Sequence, residues 1–240
     1  MMKLQKYLAL SGFASRRKSE EFIARELITV NGEIAHIGQI IDETKDEIRV
    51  GDAAKLETAA FVYYKMHKPR GIVTTCASHL DTGILDIVDI PERVFPIGRL
   101  DKDSTGLIIL TNDGRLSNYL MHPRYGHEKE YLVEVYGKID DLTLGRLGNG
   151  SLEVLGERVL PAEIGRAASG SFTIILREGK NRQIRRMVEA VGHAVKKLKR
   201  IRIENIDIGD LQEGEFVRLS ALEREQLLAR TVFANSRDLG

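Results

Sequence analysis

Apolar positions fall at two spacings along this chain, and the change from one to the other marks out its elements. Near the start, Leu4, Tyr7 and Leu8 share one helical face and Ser11-Gly12 supplies the stop. Ser15 then caps a second helix, in which Phe22 and Ile23 face inward while Arg16/Glu20 and Arg17/Glu21 stand at ion-pairing spacing. A spacing of two takes over at Ile28-Thr29-Val30 and Glu33-Ile34-Ala35, which flank Asn31-Gly32, a dipeptide suited to a two-residue hairpin turn. Glu47 to Val50 predicts a further strand. Periodicity then lapses over Ala53 to Ala60, where a linker is expected.

Beyond the linker the strand pattern dominates. Phe61 to Met66 alternates, Lys68-Pro69-Arg70-Gly71 turns the chain, and Ile72 to Thr75 predicts the next strand. Phe95-Pro96-Ile97 leads into a polar loop bracketed by Gly98 and Gly106, and Leu107 to Leu110 leads out of it. Arg115 to Met121 has helical spacing. Glu130 to Tyr136 alternates with Tyr131, Val133 and Val135 on one face, and Phe172 to Leu176 predicts another strand. Asn181 is placed to cap a helix whose Ile184, Val188 and Val191 face inward before Gly192 ends it. No long βαβ rhythm runs through this part. The expected architecture is α+β: a small helix-helix-hairpin domain over residues 1–58, joined to a larger domain over 60–235 built on a mostly antiparallel, mixed sheet.

Charge changes the picture by its placement. Across 240 residues the net charge is only +1, so a surface for a polyanion has to come from clustering. Two clusters exist. Lys3, Lys6, Arg16, Arg17, Lys18 and Arg25 crowd the first two helices, and ten Lys or Arg stand against two acids between Arg177 and Arg202. A single cysteine, Cys76, excludes an internal disulfide framework. The six histidines show no zinc-ligand spacing, and there is no Walker loop or GxGxxG, so neither a metal nor a nucleotide cofactor is expected. The start lacks an apolar signal core and no apolar run reaches membrane length, which predicts a cytoplasmic protein.

Chemistry concentrates in the loop between the two glycines. Asp101 stands there between Arg99 and Lys102, cations that favour a carboxylate over its acid. Turn aspartates are common, and Asp103, Ser104 and Thr105 are equally suited to bonding a turn. Arg182, Arg185 and Arg186 occupy the first turns of the basic helix, where helix end and guanidinium groups together favour an anion, either a phosphate or a carboxylate.

Three segments say more together than singly: Gly98 to Leu107, Glu128 to Val133 and Gly179 to Met187. In this order they resemble the signature motifs of RNA pseudouridine synthases. The helix, Ser-Arg-Arg helix and Val-Asn-Gly hairpin at the start resemble the S-four RNA-binding domain, with Glu26-Leu27 departing from its usual Gly-Arg. The resemblance is to the branch that joins such a domain to its catalytic domain and modifies bacterial ribosomal RNA. It implies that Asp101 is the catalytic aspartate, that Tyr131 packs against the target base, and that Arg185 pairs with Asp101. Arg99 would help flip the base and Leu198 would pack against it. The basic clusters would then hold RNA through Lys3, Lys6, Arg16, Arg17, Lys18, Lys180, Arg182 and Arg186. The implied reaction turns a uridine into pseudouridine without redox change or cofactor, and Leu120 to Tyr125 leans towards large-subunit ribosomal RNA as substrate; the linker expected over Ala53 to Ala60 predicts a monomer with a mobile N-terminal domain. Two rivals are a non-catalytic rRNA-binding or ribosome-assembly factor and, more remotely, a metal-dependent nucleic-acid hydrolase using Asp101, Asp103 and Asp113.

Overall fold

Capped helices and a tight hairpin open the chain. β1 (Met2–Lys3) runs into α1 (Leu4–Leu10), and α2 (Arg16–Ala24) begins where the Ser15 hydroxyl accepts from the Lys18 N–H at 3.2 Å. Between β2 (Ile28–Val30) and β3 (Glu33–Ile34), Asn31 and Gly32 both take positive φ, 54° and 85°, as a hairpin turn matched to strand twist requires. β4 (Ile40–Ile41) pairs with β1, and β5 (Ile48–Val50) with β2. Leu4, Leu8, Phe22, Ile23, Ile28 and Ile41 close the core of this part. The expected linker is helical in its first half: α3 (Asp52–Leu56) carries Asp52 in its first turn and Lys55 in its last, charges that suit the helix dipole and pair at 3.0 Å. The structure, a computed structural model, describes residues 1–237 except 12, 57–59 and 76–80; Gly12, the middle of the linker and Cys76 therefore lie outside the described residues.

The remaining elements build one large sheet and its covering helices. In chain order they are β6 (Tyr63–Lys68), β7 (Phe95–Ile97), β8 (Thr105–Thr111), α4 (Gly114–Met121), β9 (Lys129–Val135), α5 (Asp141–Gly148), β10 (Glu153–Val154) and β11 (Glu157–Arg158). Then come β12 (Glu163–Ala168), β13 (Ser171–Leu176), α6 (Gln183–Ala190), β14 (Val195–Ile203), β15 (Ile206–Asp207), β16 (Phe216–Arg218) and α7 (Ala221–Arg237). The sheet runs β12-β13-β9-β14-β8-β6-β16, with β7 added to β8 and β15 to β14. Among the described strand pairs only β14 and β8 are parallel, so the expected mixed, mostly antiparallel sheet is present. No helix among the described residues is long and apolar enough to cross a membrane.

Two local expectations fail for visible reasons. Ile72 to Thr75 makes one bridge, Val73 to Gly83, and no strand, because the Thr74 hydroxyl is drawn into the Asp101 loop. Asn181 does not cap α6. Arg182 holds the N-cap position in a left-handed conformation (φ 51°, ψ 34°), and Gln183 turns back to accept from the Lys180 N–H at 3.0 Å.

Register decides which side chains meet. On one face Val133, Ile174 and Leu198 pack with Ile184 and Met187 of α6, and farther along Met66, Ile108 and Leu110 form a second apolar group. Leu107, Ile109 and Ile203 face the opposite side with Leu116 of α4 and Leu227 of α7. Between the two groups on the first face a single row crosses the sheet: Tyr131 on β9, Arg200 on β14, Gly106 on β8 and Lys68 on β6. Gly106 has φ 114°, and a Cβ there would stand 2.3 Å from the Arg200 carbonyl oxygen, so no other residue fits without moving β14.

Candidate active site

The loop from Gly98 to Ser104 enters β8 directly above this row, and its backbone is bound on several sides. The Thr74 hydroxyl donates to the Leu100 carbonyl at 2.9 Å and accepts from the Leu100 N–H at 3.2 Å. The Gly71 N–H donates to the Lys102 carbonyl at 2.7 Å, and the Ser104 N–H closes a turn on the Asp101 carbonyl at 3.0 Å. From beneath, Lys68 Nζ donates to the carbonyls of Ser104 and Pro69, both at 2.9 Å. Lys68 is fully buried, 0% exposed. Burial pulls its pKa down to about 8, against the opposing pull of Asp103, Glu213 and Asp101.

Above the loop, α6 supplies two arginines. Arg185, whose side chain is 14% exposed, donates from Nη2 to the Asp103 carbonyl and the Ser104 hydroxyl, each at 3.2 Å, and pairs with the Asp103 carboxylate at 3.2 Å. At ion-pair distance Arg185 meets Asp103, while Asp101 acts on it as a more distant charge. The cation on Asp101 is Arg182, at 3.6 Å, which also bonds Asp103 at 3.2 Å. The difference is geometric: Arg185, inside the helix, ends on Asp103 and Ser104, whereas the left-handed Arg182 at the helix start reaches both Asp101 and Asp103. Burial pushes the Asp103 carboxyl up, yet Arg185 and Arg182 outweigh it and hold that group below the usual aspartate range. Asp101 keeps 32% of its side chain open.

The other expected residues divide. Tyr131 stands in the row beneath the loop, partly buried against the β9 core. Leu198 lies in that same core beside Val133, 7% exposed. Arg99 is exposed. Lys180 is turned towards Glu157 at 3.1 Å and the Arg158 carbonyl at 2.7 Å, and Arg186 bonds the Asn181 carbonyl at 3.1 Å. At the other end of the chain Lys3, Lys6, Arg16 and Arg17 are exposed, and Lys18 pairs with Glu21 at 3.1 Å. Lys6, Arg16, Arg17 and Lys18 line a cavity of about 1460 Å³ that Arg93 and Asn118 also line.

Sequence reasoning missed Lys68, Thr74 and Arg200 as parts of this site and gave Asp103 a turn role or a place in the metal-dependent rival, not the arginine pairing it has. Parity held the signal for two of them. Lys68 continues the buried alternation of Tyr64 and Met66, and Arg200 continues that of Leu198, so each cation was due on an apolar face. Among the described residues no group of three or more His, Cys, Asp or Glu side chains is arranged to hold a metal.

A family model described as RNA pseudouridylate synthase matches residues 62–190, and the S4 domain model matches residues 2–52. The dual-specificity RNA pseudouridine synthase RluF of Escherichia coli O6:H1 (strain CFT073) is 40% identical over 223 residues, spanning 90% of this chain and 74% of that protein. Ribosomal large subunit pseudouridine synthase B of Bacillus subtilis (strain 168) is 36% identical, spanning 95% of this chain and 96% of its own. A crystal structure of a pseudouridylate synthase superposes with a TM-score of 0.70 at 28% identity, covering 95% of this chain and all of that one.

Proposed function

Because this chain belongs to the RNA pseudouridine synthase family, we propose that it isomerises one uridine of large-subunit ribosomal RNA, with Asp101 as the reacting carboxylate. The observation that carries this reading is a loop fixed in its backbone and open at one side chain: Thr74, Gly71, Lys68 and Arg185 bind its peptide groups while Asp101 stays 32% exposed. Catalysis by positioning requires that combination.

The reaction exchanges a ribose bond to uracil N1 for one to C5, so it needs neither redox chemistry nor an energy source. Asp101 either bonds to C1′ or removes the proton on C2′; both routes use the carboxylate as nucleophile or base. Arg182 orients it from 3.6 Å. The target base must first leave its stack, at a cost of a few kcal/mol. Arg99, exposed two residues before Asp101, is the wedge, and Tyr131 and Leu198 receive the base. Residues 1–58 grip the RNA through the cations of α1 and α2, and residues 60–235 carry out the chemistry, on ribosome-assembly intermediates in the cytoplasm. The large-subunit assignment is supported by the Bacillus relative's name and by its match along nearly the whole chain.

The test pairs wild type with Asp101→Asn on ribosomal RNA from a deletion strain, with pseudouridine mapped by chemical labelling. Wild type should modify one large-subunit uridine, and Asp101→Asn none while still binding RNA. Equal modification by both proteins removes Asp101 from the reaction, and a small-subunit product removes the subunit assignment.

A further inference from the structure

One buried cation has no part in the reading above. Arg200 lies between Tyr131 and Gly106 in the register row and is 2% exposed. Its Nε–H donates to the Leu107 carbonyl at 2.7 Å, while Nη2 is buried with no hydrogen-bond partner among the described residues. Buried donors are almost always satisfied, and a charged one more so, which makes this nitrogen an exception that an incoming acceptor would resolve. The surroundings are also short of negative charge: Lys68, Arg182, Arg185 and Arg200 gather around the three carboxylates of Asp101, Asp103 and Glu213.

We infer that Arg200 is a catalytic residue whose Nη2 donates to a carbonyl oxygen of the flipped uracil, O2 or O4, and stabilises the base as it leaves the sugar. This rests on the pseudouridine synthase reading. When the N1–C1′ bond breaks, its electron pair goes to N1 and uracil becomes an anion whose charge is shared with O2 and O4. In the same step C1′ gains a bond to an Asp101 oxygen, or C2′ gives its proton to that oxygen. After the base rotates, C5 bonds to C1′, the Asp101 ester is released or C2′ regains its proton, C5 loses its proton and N1 takes one up. No further reactant enters. The carbonyl oxygens carry far more charge after the break than before it, so a fixed cationic donor binds the departing base more strongly than the ground state. The sheet fixes it: Arg200 is paired to β9 on one side and, through the glycine approach at Gly106, to β8 on the other.

The experiment uses the full-length protein and synthetic RNA carrying the mapped target as uridine, 2-thiouridine or 4-thiouridine, under single-turnover conditions. Arg200→Met should slow uridine RNA by about 100-fold, the usual scale for one lost oxyanion donor, while RNA affinity holds. On the RNA whose contacted oxygen is replaced by sulfur, a weak acceptor, that penalty should shrink to below about tenfold. A merely structural role predicts one penalty on all three RNAs, and that result overturns the inference. Arg200→Lys repeats the comparison with charge retained. If neither variant folds, the wild type decides: equal rates on all three RNAs overturn the contact, and a selective loss with one thio-RNA supports it. Wild-type conversion of uridine RNA together with inactive Asp101→Asn keeps the parent reading intact whichever way Arg200 falls.

Discussion

The cations of this molecule form two populations with opposite physical meanings. Lys3, at the N-cap of α1, and Lys6, Arg16 and Arg17 on the first helices stand in solvent, whereas Lys68 and Arg200 sit under the Asp101 loop, 0% and 2% exposed. An exposed cation keeps its hydration, and one that meets a phosphate adds to affinity by releasing counterions, with little regard to base sequence. A buried one loses several kcal/mol of hydration, so its persistence means that the fold or the substrate uses its charge. Lys68 uses it to hold two loop carbonyls; Arg200 holds one and keeps a nitrogen in reserve. A net charge of +1 conceals both groups.

The contrast breaks most sharply at Gly106. A methyl group there meets the Arg200 backbone at 2.3 Å and a φ of 114° that side chains avoid. Gly106→Ala should therefore push β8 from β14, disturb Lys68, Arg200 and the loop together, and cost about 3 kcal/mol or more in stability. Turnover should fall at least about 100-fold, the scale expected when reacting groups are misplaced. The exposed population should be untouched, so salt-dependent RNA binding should survive in whatever fraction stays folded. Thermal melts, single-turnover rates and filter binding on one preparation check this; wild-type turnover would show that the close approach does not shape the site.

Next in size is the pH behaviour of Lys68. With its pKa pulled down by burial to about 8 from 10.5, the buried ammonium is charged below pH 8 and neutral above it. Turnover should fall about tenfold across an alkaline limb centred near pH 8, as Asp101 and its loop lose a neighbouring cation. Stability should move the other way. The folded chain holds this proton less tightly than the unfolded chain, so the group's contribution to stability rises between pH 8 and 10.5. A falling rate with rising or steady melting temperature therefore separates Lys68 from simple unfolding. Lys68→Arg, whose guanidinium stays charged, should shift the limb upward in pH, and an unmoved limb would assign it to another group.

How much of this was legible in the sequence follows from the same contrast. The Ser15 cap, the Asn31-Gly32 turn and the strands around Tyr131 and Ile174 were readable because local spacing and turn chemistry settle them. The exposed cations were readable as clusters. The Asp101 loop was readable through three motifs in order, but its wiring was not: Arg185 reaches Asp103, and Arg182 reaches Asp101, because of a left-handed helix start that Asn181-Arg182 does not announce. Thr74 bonding Leu100 and Arg200 lying beside Gly106 are contacts across 26 and 94 residues, which no local pattern encodes.

The smallest expected effect belongs to the exposed population. Arg16 and Arg17 sit in the first turn of α2, next to the cavity that faces Arg93 and Asn118. If each neutralises one phosphate, Arg16→Ala with Arg17→Ala should weaken RNA binding only about fivefold near physiological salt and reduce the slope of log affinity against log salt by about 2. The loss should appear in KM and vanish from kcat at saturating RNA, because neither side chain approaches the Asp101 loop. Fluorescence anisotropy across a salt series measures the slope directly. An unchanged slope would mean that these arginines are solvated ornaments of the helix, and a fall in kcat would mean that RNA seated on α2 also sets the position of the flipped base, which would join the two populations into one site.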